Sequence, residues 1–455
     1  MATAYLSRTP SGAPTSTKIA TLSFWFKRGN VGTTRYLYNV NGTGTNSFYV
    51  LIASDDKLRW GMGDGSGNTY ELKTTAIYKD PAAWYHFVGQ IDTPQDSESD
   101  RMKIYINGVQ QTVFTDDDYP AEDTVTVINS NSYANYIGVD SGTSAYWDGS
   151  IAHMHMIDGT AYAASAFGET DATSGIWIAK SGPSVTYGDN GFFLKFASGA
   201  LGTDSSGEGN NFVVSGTMTT TKDTPDNNFA TMNPLNNYYQ AVTFSNGNTT
   251  IAKPASPDNT SPSTGTIGVT TGKWYWEVKC AVGATASWLI GLMSTEVRAV
   301  GNYELGKYIN DYAYSAVDGD IRTNSAETSY GDTYAAGDII GVALDLTNLK
   351  LYFSKNGVWQ DSGDPTSGAT GTGAVSITAI SSLPSYTTTG IYIPAHSFWS
   401  GTGTATTNYN FGNGYFGTTV ISSAGTSSSG DDSVWEYDCP TGYYGLNTKN
   451  LGSYS

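Results

Sequence analysis

Along most of this chain apolar and polar residues alternate with period two, in short runs broken by Gly, Asn, Asp and Ser. That period is the signature of strands with one face buried. No segment repeats apolar residues at i, i+3, i+4 and i+7 for more than a turn or two, so helix is expected only in short turns, below about a fifth of the residues. Six Asn-Gly pairs, beginning at Asn41, Asn107, Asn190, Asn246, Asn356 and Asn413, mark tight turns, because both residue types tolerate positive φ. Two of them sit in matching contexts. A strand from Trp84 to Asp92 is followed by Lys103-Ile-Tyr-Ile-Asn-Gly108, and a strand from Gly337 to Asp345 by Lys350-Leu-Tyr-Phe-Ser-Lys-Asn-Gly357. The chain therefore reads as two versions of one architecture: all-β, two antiparallel sandwiches of jelly-roll type in tandem.

The punctuation sets boundaries at 1–180 for the first sandwich, 181–235 for an ordered, β-rich connector, 236–421 for the second sandwich and 422–455 for an extended tail. The connector is expected to be ordered because Phe192, Phe193, Leu194 and Phe196 need burial. In Lys273-Trp-Tyr-Trp-Glu-Val-Lys-Cys280, alternation turns Trp274, Trp276, Val278 and Cys280 inward. Glu277 and Lys279 are expected to face out, Glu277 as an exposed strand carboxylate.

The length of 455 residues suits two such domains. A net charge of −18 repels phosphate backbones, which argues against nucleic acid as a partner. Two cysteines cannot build a disulfide framework or a four-ligand zinc site. No run approaches membrane length and no secretory leader opens the chain, so synthesis in a cytoplasm without membrane insertion is expected.

Candidate chemistry is sparse. Glycoside hydrolysis needs two carboxyl groups across one cleft, and the glutamates fall in no such spacing. No nucleophile elbow or phosphate loop occurs. No metal is assigned. His153 and His155 lie on one strand face and could hold zinc with a third ligand such as His86. The loop Asp204-Ser-Ser-Gly-Glu-Gly-Asn210 does not match an EF-hand.

Leu22-Ser-Phe-Trp-Phe-Lys-Arg28, Trp84-Tyr-His-Phe87, Lys103 to Gly108 and Trp147-Asp-Gly-Ser-Ile-Ala152 resemble the laminin-G-like, concanavalin-A-like lectin/glucanase superfamily. Gly272 to Val278, Ile290-Gly-Leu-Met293, Gly337 to Val342 and Leu349 to Gly357, ending at Asn410-Phe-Gly412, resemble a SPRY domain. Joined with Tyr5 to Pro10, Leu201 to Gly207 and Gly442 to Asn450, the order is similar to that of bacteriophage tail-fibre or lectin-like virion proteins. The resemblance implies a non-enzymatic virion protein that presents lectin-like domains to host-surface glycan. The other implied reading is a capsid or tail joint with a purely structural role. It implies localisation in the virion, and partners that are other virion proteins, copies of the chain and, in the first reading, glycan. It also implies no cofactor beyond calcium at a loop rim, where Asp92 or Asp148 could serve.

Sugars are held by aromatic faces and by polar groups in shallow sites. By the SPRY resemblance, Trp288, Tyr303, Tyr312, Tyr314 and Trp359 are the expected glycan or receptor contacts. The polar termini carry isolated anchors, Tyr5, Leu6, Trp435, Tyr437, Tyr443 and Tyr444. These are expected to dock onto the chain's own sandwiches or onto neighbouring subunits, with residues 431–455 dispensable for folding.

Overall fold

The computed structural model describes residues 3–41, 46–237, 241–253, 262–283, 288–295, 304–383, 388–398, 403–422 and 424–455. Strand accounts for 44% of the protein and helix for 6%, so the all-β expectation holds. The chain divides into two compact units, Met1–Thr220 and Thr221–Ser455.

Unit 1 is a sandwich of an eight-stranded and a six-stranded sheet. The larger sheet runs, in spatial order, Phe114–Asp117, Thr69–Ile77, Lys57–Gly63, Ser47–Ile52, Arg35–Asn41, Ala134–Ile137, Tyr5–Arg8 and Val213–Ser215. The smaller runs Phe192–Leu194, Ser150–Asp158, Ile19–Lys27, Trp84–Asp92, Met102–Ile106 and Val109–Gln111. Every neighbouring pair in these sheets is antiparallel. Phe24, Phe26, Trp60, Phe87, Ile104 and Met154 lie between the sheets with no exposed surface, as alternation requires. The segment set apart in the sequence as a connector supplies two of these strands, Phe192–Leu194 and Val213–Ser215. Its apolar run completes the first core, which is why it is ordered.

Unit 2 pairs a nine-stranded sheet, centred on Lys273–Gly283 between Ile339–Asp345 and Ala405–Asn410, with a six-stranded sheet centred on Trp288–Thr295. Trp274, Trp276, Val278 and Cys280 point into its core, all at 1% exposure or less.

The matched hairpins are built alike down to single bonds. Asn107 donates its N–H to the His86 carbonyl at 2.9 Å, and its Oδ1 accepts the His86 N–H at 2.8 Å. Asn356 makes the same pair of bonds with Ile339, at 2.8 and 2.9 Å. Both asparagines and the glycines after them have positive φ, the conformation of a two-residue hairpin turn. Each glycine lies under an aromatic ring from the segment that trails its sandwich. A Cβ on Gly108 would come within 2.6 Å of Trp177, and one on Gly357 within 2.6 Å of Tyr437.

Those trailing segments seal a sheet face that alternation alone assigns to solvent. In unit 1, Ala164, Phe167 and Trp177 cover Val88 and Ile157, and the Thr21 hydroxyl ties the strand to Thr160 and Tyr162. In unit 2, Trp435, Cys439 and Tyr443 cover Tyr275, Ala343 and Tyr352. Glu277 is therefore not an exposed carboxylate. It does face away from the core, as expected, but it lies wholly buried beneath the tail. Lys279, half-buried, lies 5.7 Å from the centre of the Phe416 ring.

The terminal anchors dock within their own units. Leu6 is in the first core, while Tyr5 stacks at an angle against Tyr136 and Tyr146, at 6.1 and 6.3 Å. Trp435 and Tyr443 are fully buried, Tyr444 pairs its strand with Lys273–Gly283, and Leu446 joins the second core. The tail is thus a strap packed into unit 2, so residues 431–455 form part of its fold and are no separate extension. Tyr444 stacks on Tyr454 from the closing helix Thr448–Tyr454, so the last turn is held as well.

Candidate functional site

Of the five rings expected to meet a ligand, three are core residues. Trp288, Tyr312 and Tyr314 are 1%, 4% and 0% exposed. Tyr314 packs on Tyr334 and Phe353 at 4.9 and 5.3 Å and donates its hydroxyl to the Asp332 carbonyl. The Tyr312 hydroxyl accepts the Thr378 N–H at 2.9 Å. Their strand, Asp311–Ser315, is buried along its whole length: one face lies on the core, and on the other Leu305 packs with Ala313 and its sheet neighbours Leu289 and Ala395. Trp359 is half-buried, edge-on to Tyr275 and Tyr352 at 6.4 and 6.5 Å. Tyr303 lies outside the described residues.

The histidines are structural. His86 is sandwiched between Trp25 and Trp177, with ring centres 4.7 and 6.0 Å away. Trp177 donates its indole N–H to Nδ1 at 2.9 Å, so Nδ1 accepts and the ring proton sits on Nε2, 2.9 Å from the Ser23 hydroxyl. That tautomer leaves His86 no lone pair with which to activate Ser23 or bind a metal. His155 stacks on Phe193 at 4.0 Å and bonds Tyr187 through Nδ1. His153 sits at a bulge with φ 48°, which interrupts the regular alternation between Ala152 and His155. Asp92 accepts from Gln95 at 2.7 Å, and Asp148 is engaged by the Asn30 backbone and side-chain amides. Asp92 closes a turn, and Asp148 ties its segment to Asn30, 118 residues away. Among the described residues the acidic groups that converge are Asp318, Asp320 and Glu327, two of which Arg322 pairs at 2.7 and 3.2 Å.

Burial gives these histidines a pH consequence. Desolvation pulls His86 and His396 down to about 3 and His155 well below its ordinary value. The unfolded chain takes up these protons near pH 6.5 and the folded one does not, so the stability is complete above about 6.5 and is lost as pH falls toward 3. At pH 5 each histidine is expected to cost roughly 2 kcal/mol. Urea midpoints at pH 7 and pH 5 should show this loss in unit 1, and His86→Gln should remove about half of it, leaving the share of His155. Equal midpoints would contradict the burial account.

The open face lies elsewhere, on the outer side of the eight-stranded sheet of unit 1. Strand register lines up Ser7, Tyr136, Asn39, Tyr49, Gly61 and Glu71, one on each of six adjacent strands. At about 4.8 Å per strand the row is about 24 Å long. Its centre is preorganised. Gly61 has no side chain, and a Cβ there would meet Tyr49 Cζ at 2.3 Å, so the Tyr49 ring lies down across the neighbouring strand. Its hydroxyl donates to Glu71 at 2.8 Å, and Arg59 holds the other Glu71 oxygen at 3.3 Å. Burial, with Glu71 next, pushes the Tyr49 phenol up, so it stays a donor at neutral pH. Tyr36 stands edge-on to Tyr49 at 6.3 Å, and Asn39 is oriented by Asp140 at 3.0 Å. The outcome is a shallow shelf of half-buried aromatic rings, flanked by the buried Asn39 amide and the Arg59–Glu71 ion pair. The sequence reading missed it. The available signal was Gly61 inside the strand Arg59-Trp-Gly-Met62, since a strand-interior glycine marks a close approach.

Comparison with known proteins agrees with this architecture. Residues 2–166 match the concanavalin A-like lectin/glucanases superfamily, and residues 273–385 match the SPRY domain. The chain thus contains one domain of each type, in the order the resemblance implied. Among solved structures, the SPRY domain of human HERC1 is 16% identical over 39% of this chain and 96% of that one, with a TM-score of 0.30. No curated protein matches the chain.

Proposed function

We propose that the protein is a non-enzymatic binding protein of a virion surface, a tail fibre or appendage, and that it contacts host-surface glycan through the open sheet face of unit 1. The observation that supports this most is the Tyr49 ring laid flat on Gly61. An aromatic face held in place before binding loses little conformational entropy on meeting the C–H surface of a pyranose. Arg59 and Glu71, paired with each other and partly exposed, lie beside it. The alternative is a joint that only packs on other virion proteins. The terminal anchors it drew on dock within the chain's own units, as do three of the five rings expected to meet glycan.

An array of bacterial surface polysaccharides probed with the full chain tests the reading. Binding to at least one neutral polysaccharide, with no reducing ends released on long incubation, is expected. An array without any binding would count against glycan recognition, and release of reducing ends abolished by Glu71→Gln would make the protein an enzyme.

A further inference from the structure

The residue row on the outer sheet face of unit 1 is closed at one end. The closing piece is the loop of residues 140–146, which follows the strand Ala134–Ile137 and folds back over it. Ser141 and Gly142 take positive φ, 50° and 77°, as the central residues of a tight reversal, and the Thr143 N–H donates to the Asp140 carbonyl at 3.0 Å. Positive φ is uncommon for serine, so the surroundings hold this turn in place. A Cβ on Gly142 would stand 3.2 Å from the Tyr136 ring and 3.7 Å from the Tyr5 hydroxyl, so the tip rests on those two residues. Tyr146 donates its hydroxyl to the Gly142 carbonyl at 3.3 Å, and its ring stands 6.3 Å from that of Tyr5. Asn39, next in the row, is 4% exposed, with its amide on Asp140 at 3.0 Å and on Ser141 at 3.5 Å. The loop is a fixed wall.

Past Asn39 the row opens. Tyr49 and Glu71 are half-buried, and the backbones of Glu71 and Asp118 exchange hydrogen bonds at 3.1 and 3.0 Å, which extends the row to an exposed aspartate at the sheet edge. From Tyr49 to Asp118 is three strand spacings, about 14 Å. The wall carries an acceptor that faces no protein donor. Asp140 Oδ1 takes the Asn39 amide and the Ser141 hydroxyl, whereas Oδ2 has no hydrogen-bond partner among the described residues. Its charge also reaches the Tyr36 phenol, which is held up by burial first and by Asp140 and Glu71 next. Tyr36 in turn stands edge-on to Tyr49, so Asp140 lies close to the stacking ring.

A carboxylate oxygen accepts from hydroxyls, and a terminal sugar residue carries a free hydroxyl where an internal one carries the next linkage. Resting on the glycan reading of the shelf, we propose that it is a site for chain ends: the terminal residue stacks on Tyr49 with its free hydroxyl on Asp140, and the chain leaves over Gly61 and Glu71 toward the sheet edge. An internal segment laid in the same direction would run into the loop of residues 140–146.

Saturation binding of the full chain tests this, with an array-positive polysaccharide cut to graded lengths, its chain ends counted chemically and the bound protein measured by sedimentation. Protein bound at saturation should follow the number of chain ends and stay constant per chain as the chains lengthen. Asp140→Asn keeps an acceptor for Asn39 and Ser141 but turns the free oxygen into an amide, so it should weaken binding about tenfold or more with the melting temperature nearly unchanged. Bound protein that rises in proportion to chain length, while Tyr49→Ala still abolishes binding, overturns end recognition and leaves the shelf as a site for internal segments. Asp140→Asn that folds and binds like the wild type also overturns it. The wild-type occupancy needs no variant, so it decides the question if Asp140→Asn folds poorly. Binding that survives Tyr49→Ala, or no binding to any polysaccharide, removes the glycan reading of the shelf and end recognition with it.

Discussion

Removing residues 431–455 should abolish folding of unit 2 while leaving the unit 1 transition in place. The deletion takes Leu446 out of the main core and Trp435 and Tyr443 out of the cap over Tyr275 and Tyr352. It also removes two of the four donors to a buried carboxylate, the N–H groups of Glu436 and Tyr437. Losing one large buried side chain costs about 3–5 kcal/mol, and three such losses, about 9–15 kcal/mol with a buried acid left half-satisfied besides, match the roughly 5–15 kcal/mol that holds a domain together. None of the deleted residues contributes to the unit 1 core. Calorimetry should therefore lose one of two transitions. Survival of both would mean that the strap is peripheral.

Trp276→Ala should destabilise unit 2 by about 3–5 kcal/mol through cavity formation. Its side chain is 1% exposed in the main core of that unit. For a domain of this size the loss corresponds to a melting temperature lower by roughly 6–20 °C. Lys279→Ala, three residues along the same strand but on the outer face, should move it by no more than a degree or two. If Trp276→Ala melts like the wild type, the inward assignment of this face is wrong.

Local rules carried the reading a long way. Alternation correctly turned Trp274, Trp276 and Cys280 inward, and the Asn-Gly signal located the matched hairpins at Asn107 and Asn356. The same alternation set Glu277 on the outer face, where it is. It could not reveal that the outer face is covered, because the covering residues lie about 160 positions further along the chain and no local pattern records such a contact. Tyr312 and Tyr314 show the same limit. Their ring-rich strand suggested a binding face, but a strand buried on both sides carries large apolar rings for packing.

The Tyr49 shelf was hidden for a different reason. Its residues come from six strands whose order in the sheet departs from their order in the chain. Ser7 and Tyr136 meet there through a strand pair separated by more than a hundred residues. Only register brings Tyr49, Gly61 and Glu71 into one row, and register is a property of the folded sheet.

The central claim is that this shelf is where the protein meets glycan, and calorimetric titration of one array-positive oligosaccharide tests it most directly. The wild type should bind. Tyr49→Ala should weaken binding at least tenfold, about 1.4 kcal/mol or more, with its melting temperature nearly unchanged because the ring lies outside the core. Equal affinity in wild type and Tyr49→Ala would contradict the assignment and move the recognition surface elsewhere on the protein.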